Sequence, residues 1–248
     1  MTVQVAIDQV HIAKKQAKHL RHHCHTKRQK AVLKDCSKLL DNTVLQLKHT
    51  LESFRANKTS EDDYDAQTWL STALTNLETC RLGSQELNVS TFVSPIFSTN
   101  VSQLLSNSLA VNGELMKPQD RYPDDGGYPT WVTAGDRRLL QADSLASRAN
   151  VIVAQDGSGH FKSIQAAINY ATARRSGNNR VIIYIKRGVY RENIAISSTM
   201  NKVMLVGDGL RYTVITGSRS VAAGYTTYSS ATVGKCKLFY ELCMCRLT

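Results

Sequence analysis

Val181-Ile182-Ile183-Tyr184-Ile185, then Ile194-Ala195-Ile196, Val203-Met204-Leu205-Val206 and Val214-Ile215-Thr216, decide the reading of the second half of this chain. The runs are rich in β-branched residues and too short for helices, so they read as strands. An earlier run, Val151-Ile152-Val153, joins the set. Gly188, Gly207-Asp208-Gly209 and Gly217 separate the runs as turn residues. One helix interrupts them at 163–173, with Ile164, Ala167, Ile168 and Ala171 on a common face. A rung-like recurrence of about 20 residues favours the first coils of a right-handed parallel β-helix. Periodicity alone also allows a small sandwich.

Upstream the texture changes. Pro118, Pro123, Asp124, Asp125, Gly126, Gly127 and Pro129 mark a linker. Before it, apolar residues recur at helical spacing: Val3, Ile7, Val10 and Ala17, then Leu33, Leu40, Leu47, Leu51 and Phe54. A polar break at 57–63 precedes a third helical stretch at 66–79, and Pro95 lies in a loop before a fourth at 101–115. Each such helix must bury one stripe, so the expectation is an all-α four-helix bundle over 1–115.

The net charge is +11, which points to an anionic partner without choosing among nucleic acid, anionic lipid and acidic polysaccharide. Aromatic residues make up 7% of the chain and do not alternate with basic ones, which argues against a single-strand nucleic-acid platform. No run approaches the roughly 20 apolar residues of a membrane helix. Lys14, Lys15 and Lys18 rule out a signal peptide at the start. Three glycosylation sequons, at Asn57, Asn88 and Asn100, lean towards secretion, with the signal segment absent from this chain. Cys36 falls in the second helix and Cys80 at the end of the third. The residues leave a disulfide and two buried thiols both open, and the sequons tip the choice towards the bridge. Cys24, Cys236, Cys243 and Cys245 match no zinc or disulfide pattern.

Other residues with chemical potential read as structural. Asp156 and Asp208 sit in glycine turns, where aspartate commonly stabilises the backbone. Ser158 lacks a full nucleophile elbow, and nothing marks His160 as its base. Gly157-Ser158-Gly159 lacks the lysine of a phosphate loop. His19, His22 and His23 would share a helix face, but Lys18, Arg21, Lys27, Arg28 and Lys30 surround them and disfavour a metal. A solvated basic face able to meet an anionic surface is the better reading.

The first half resembles the plant invertase and pectin methylesterase inhibitor family. Lys34-Asp35-Cys36, Trp69-Leu70-Ser71-Thr72-Ala73-Leu74-Thr75-Asn76 with Thr79-Cys80, and Leu104-Leu105-Ser106-Asn107-Ser108-Leu109-Ala110 carry the likeness. It implies a four-helix bundle, a Cys36–Cys80 disulfide and an N-terminal hairpin that is absent here. The second half resembles the start of a pectin methylesterase. Val153-Ala154-Gln155-Asp156-Gly157-Ser158-Gly159, Phe161-Lys162-Ser163-Ile164-Gln165-Ala166-Ala167-Ile168, Gly188-Val189-Tyr190-Arg191-Glu192, Gly207-Asp208-Gly209 and Thr226-Thr227-Tyr228-Ser229-Ser230-Ala231-Thr232-Val233 carry that likeness. Arg137-Arg138-Leu139-Leu140 resembles the site where such precursors are cut, and a dibasic pair in a linker is accessible to a subtilisin-like protease.

The resemblance implies a secreted, cell-wall (apoplastic) protein that demethylesterifies homogalacturonan. It implies an aspartate nucleophile, a second aspartate as acid and base, an oxyanion-stabilising glutamine and an orienting arginine, with no metal or organic cofactor. In the family pattern all four residues lie beyond Val233, where this sequence departs from it into a 234–248 tail. The expectation is therefore a C-terminally truncated chain with no catalytic residues and no activity. Only Thr227 carries over, as a substrate contact, against the alternative of a polar residue on a strand edge. The expected organisation is an inhibitor-like pro-region at 1–115, a linker at 116–149, esterase strands at 150–233 and the aberrant tail. A second function stays open: inhibition of a complete pectin methylesterase by the helical part.

Overall fold

The computed structural model describes residues 2–55, 60–115, 146–174, 180–197, 200, 203–209 and 211–235. The chain forms two units, Met1–Lys117 with Ser218–Ala231, and Pro118–Gly217 with Thr232–Thr248. The Arg137-Arg138-Leu139-Leu140 site, Asn57, Cys236, Cys243, Cys245 and nearly all of the linker and tail lie outside the described residues.

The first unit is helical. Its elements are α1 (Thr2–Leu20), α2 (Lys27–Arg55), α3 (Ser60–Glu86), the short α4 (Ser90–Val93) and α5 (Val101–Leu115). α2 packs against α3, α1 against α2 and α5, and α3 against α5. Val10, Leu33, Leu40, Leu47, Leu70 and Leu105 are fully buried in one core, as the helical spacing predicts. Phe54 departs from that prediction. It sits in the last turn of α2 and is 44% exposed. The Cys36–Cys80 disulfide joins α2 to α3 inside this core.

Local chemistry sets the helix ends. Thr26 Oγ1 accepts the Gln29 N–H at 3.1 Å, while Gln29 Oε1 accepts the Thr26 N–H at 3.0 Å, a reciprocal cap that starts α2. α3 stops at Asn88, which takes a φ of +56°. The Val89 N–H reaches back to the Ser84 carbonyl at 2.8 Å and the Asn88 N–H to Gln85 at 3.0 Å. This pair of bonds closes a helix whose C′ residue is left-handed, a conformation that asparagine tolerates better than most residues.

The second unit holds only parallel pairings among its described strands. β1 (Val151–Val153), β2 (Val181–Ile185) and β5 (Val203–Gly207) form one sheet in the order β1-β2-β5. β3 (Gly188–Arg191) pairs with β6 (Thr213–Thr216), and β4 (Ile194–Ile196) with β7 (Val233–Lys235). The run β2-β3-β4 thus lies in register on β5-β6-β7, with Val181 opposite Val203, Gly188 opposite Thr213 and Ile194 opposite Val233. Side chains from the three sheets meet in a core that includes Val153, Ile183, Ile185, Tyr190, Ile194 and Leu205. α6 (Ile164–Ala173) packs across β1, β2 and β4, burying Ile164, Ala167, Ile168 and Ala171.

β3 and β7 are strands that the sequence pattern leaves out. Gly188, read as a turn residue, opens β3 at a φ of +155°, where an added Cβ would lie 2.8 Å from Gln155 Oε1. Glycine there answers a close approach within a strand rather than a reversal of the chain.

Candidate functional site

Thr227, the residue that the resemblance marks for substrate contact, opens the four-residue helix α7 (Thr227–Ser230). It is not on a strand edge. Thr226 caps this helix in a reciprocal box with Ser229 and is buried. Its hydroxyl donates to Asp35 Oδ2 on α2 at 2.7 Å, in a pocket where Asp35 itself is only 5% exposed. The backbone N–H and hydroxyl of Thr227 donate to the two carboxylate oxygens of Glu86 at 2.8 and 2.6 Å. Gly83 on α3 makes room for this turn, since a Cβ there would approach the Thr226 methyl to 3.1 Å. Two carboxylates of the helical unit therefore grip consecutive threonines through charge-assisted bonds, stronger than neutral ones.

Sequence reasoning singled out Thr227 but not Glu86, which holds it, nor Asp35, which holds Thr226. One signal was present: Asp35 interrupts the apolar stripe Val32, Leu33, Cys36, Leu39 and Leu40, and an acid on a buried face requires a donor.

In the second unit the acidic residues among those described are Asp156, Glu192 and Asp208. Each serves the backbone or a neighbour. Asp156 Oδ1 accepts from the Ser158 hydroxyl at 2.6 Å and the Ser158 N–H at 2.9 Å, and those bonds hold its carboxyl below the usual carboxylate range. Asp208 accepts from the Tyr184 hydroxyl and, at 2.6 Å, from the Arg187 N–H. The bond to Asp208 pushes the Tyr184 phenol up to about 12. Glu192 accepts from the Ser163 hydroxyl at 2.9 Å and from the N–H groups of Ile164 and Gln165 at 3.0 and 3.1 Å. It covers the N-terminus of α6, where a carboxylate also meets the favourable end of the helix dipole. Gln165 continues the same join, exchanging two bonds with the backbone of Ala195 at 2.7 and 3.2 Å.

Ser158 and His160 are not a catalytic pair. The serine hydroxyl lies between Asp156 and Lys186 Nζ, the latter at 2.9 Å, while His160 Nδ1 accepts the Ile152 N–H at 2.9 Å. In the histidine cluster His19 and His23 stack with ring centroids 4.9 Å apart, and no group of three potential metal ligands occurs among the described residues. Asn88 and Asn100 are both exposed, at the start and end of the α4 region.

Comparison with known proteins assigns both units. Residues 1–111 match the family model "Plant invertase/pectin methylesterase inhibitor", and residues 150–241 match "Pectinesterase". The first part of the chain is thus similar to the inhibitor family and the second to the pectinesterase family. A relative from Arabidopsis thaliana, "Probable pectinesterase/pectinesterase inhibitor 60", is 51% identical over 94% of this chain and 44% of its own length. "Pectinesterase 2" of Citrus sinensis is 45% identical over 94% of this chain and 43% of its own length. The chain thus spans less than half the length of these relatives. A solved structure, "Pectin methylesterase from Carrot", is 40% identical and covers 38% of this chain and 28% of that one, with a TM-score of 0.33. No helix among the described residues is long and apolar enough to cross a membrane.

Proposed function

We propose that this chain joins an inhibitor-type four-helix bundle to the opening coils of a right-handed parallel β-helix, in a secreted precursor that demethylesterifies cell-wall homogalacturonan. The observation that carries this reading is the order of the two family matches, inhibitor then pectinesterase, over nearly the whole chain. The in-register stacking of β2-β3-β4 on β5-β6-β7 supports the coiled architecture, since each rung adds one strand to each of three sheets. In this reading residues 1–115 are the pro-region, 116–149 the linker cut after Arg137-Arg138-Leu139-Leu140, and the esterase part runs from 150 past the expected limit at 233 to 241, where the family match ends. Exposed Asn88 and Asn100, with Asn57, are glycan acceptors.

The chain itself is expected to release no methanol from methyl-esterified pectin. Asp156, Glu192 and Asp208 are all committed to holding turns and α6, so none is free to attack an ester carbonyl. Measured methanol release above a denatured control refutes that assignment of the carboxylates.

A second reading, inhibition, is favoured by one contact. Asp35 and Glu86 of the helical part already hold Thr226 and Thr227, which lie in the stretch matching the pectinesterase model. Thr227 would touch substrate in the mature esterase and is hydrogen-bonded to Glu86 here. If the helical part engages a complete pectinesterase through the same carboxylates, adding excess chain slows that enzyme and Glu86→Gln weakens the effect. Unchanged turnover at high excess removes the inhibitory reading.

A further inference from the structure

Between Asp8 and Asp35 the sequence contains no acidic residue, yet it contains eight lysines and arginines and five histidines. The structure gathers most of them at one place. α1 ends with Lys18 and His19, Arg21–His23 form the 3-10 turn, and α2 begins with Lys27, Arg28 and Lys30. All of these side chains are exposed. None of the ion pairs among the described residues reaches this tip.

Among the described residues, several carboxylates of the helical unit are engaged elsewhere. Lys14 takes Asp41 at 2.6 Å, Arg81 pairs with Glu78, Asp35 accepts from Thr226, and Glu86 accepts from Thr227. α4 and the Ser94–Phe97 turn, which packs on α1, bring no titratable side chain, and no charged residue of α5 precedes Glu114. The capping box of Thr26 and Gln29 already occupies amides at the head of α2, so an anion there must be held by side chains. Like charges crowded on an exposed tip repel one another, and a polyanion relieves that repulsion while releasing its own counterions.

We propose that the α1–α2 tip is a docking surface for a carboxylate-rich polysaccharide, de-esterified pectin, and that it grips harder as pH falls. The proposal rests on the pectin reading above. Residues 18–34 hold no phenylalanine, tyrosine or tryptophan on which nucleic-acid bases would stack, which favours a sugar polyanion over a single strand. Imidazoles ordinarily gain their charge between about pH 8 and pH 5, whereas carboxylates stay ionised there. Acidification therefore adds positive charge to the tip without removing it from the ligand. His19 and His23 lie ring against ring, so a bound anion between them offsets the repulsion of charging both.

The test is affinity electrophoresis of the full chain through gels containing polygalacturonate, fully methyl-esterified pectin or a single-stranded oligonucleotide, at pH 7.5 and 5.0. Polygalacturonate should retard the chain on the order of tenfold more strongly at pH 5.0, the sum of several small exposed ion pairs. Methyl-esterified pectin should not. Replacing Lys27, Arg28 and Lys30 together with Gln should abolish retention, with the far-ultraviolet circular dichroism unchanged as a check of folding. Replacing His19, His22, His23 and His25 with Gln should leave the pH 7.5 retention and remove its increase at pH 5.0. Imidazole resonances of the tip should move on adding polygalacturonate, while those of His49 and His160 stay. Equal retention of both variants and the parent overturns the tip as the surface, even if the pectin reading stands. Stronger retention by the oligonucleotide overturns the sugar assignment. No retention by any gel overturns the inference, and the methanol and inhibition assays still decide the function independently.

Discussion

Breaking the Cys36–Cys80 bridge should weaken the helical unit by about 4 kcal/mol. The bridge spans a sequence separation of 44, and loop-closure entropy for a loop of that size amounts to about 4 kcal/mol at 25 °C. The native contacts around it should survive its loss, because Leu40, Leu47, Leu70 and Ala73 pack α2 on α3 whether or not the sulfurs are joined. The effect therefore acts through the unfolded chain. Both cysteines are at most 2% exposed, so reductant must reach them in the unfolded state, and the reduced chain is then refolded under reductant. Urea unfolding followed at 222 nm reports mainly on the long helices. With a slope of about 2 kcal/mol/M, the midpoint should fall by about 2 M with the slope little changed. The Cys36→Ala/Cys80→Ala double variant should lose somewhat more, since it also removes two buried sulfurs. A loss below about 1 kcal/mol in the reduced chain would refute the reasoning, because it would mean that the unfolded state gains little freedom when the loop opens.

Glu192→Ala should uncap α6, costing about 2 kcal/mol, and speed hydrogen exchange at the Ile164 and Gln165 amides about 30-fold. Unchanged exchange there would show that the carboxylate does not hold the helix. Gln46 is 1% exposed and, among the described residues, neither of its side-chain polar atoms has a partner, so Gln46→Leu should stabilise the chain by about 1–2 kcal/mol in urea unfolding. A loss of stability instead would indicate that a buried water serves the amide. Tyr184 donates to Asp208, and its raised pKa carries a definite sign. The bond's contribution is complete below the ordinary tyrosine value of about 10 and is lost as pH rises through about 12. Ultraviolet titration should show a late-ionising tyrosine component, to which buried Tyr190 also contributes, and the Tyr184 part of it should move down in Asp208→Asn.

Much of the fold was legible because burial has a period. Val3, Ile7 and Val10, or Leu33, Leu40 and Leu47, recur as a helix requires, and the β-branched runs at 151, 181, 194 and 203 are strands at those places. Where the period is too short to register, the reading failed: β7 is three residues with a glycine in the middle, and β3 begins on a glycine. Phe54 shows the opposite error, a residue in phase with the stripe that is nevertheless exposed at the end of its helix.

The candidate site was legible only as isolated residues. Thr227, Asp156, Asp208 and Cys36 with Cys80 could each be named from local motifs or likeness, since turn chemistry and resemblance are properties of a few neighbouring positions. Their partners could not. Asp35 lies 191 positions from Thr226, Glu86 lies 141 from Thr227, and Glu192 lies 28 from Ile164. A hydrogen bond selects its acceptor by distance in space and by what else is buried there, and neither quantity is written along the chain. The sequence by itself determined the long helices and most of the strands, the resemblance to the inhibitor and pectinesterase families, and the concentration of positive charge near residues 18–34. Only the tertiary structure decided which carboxylates are consumed by threonines, turns and helix ends, because that follows from how buried surfaces close on one another.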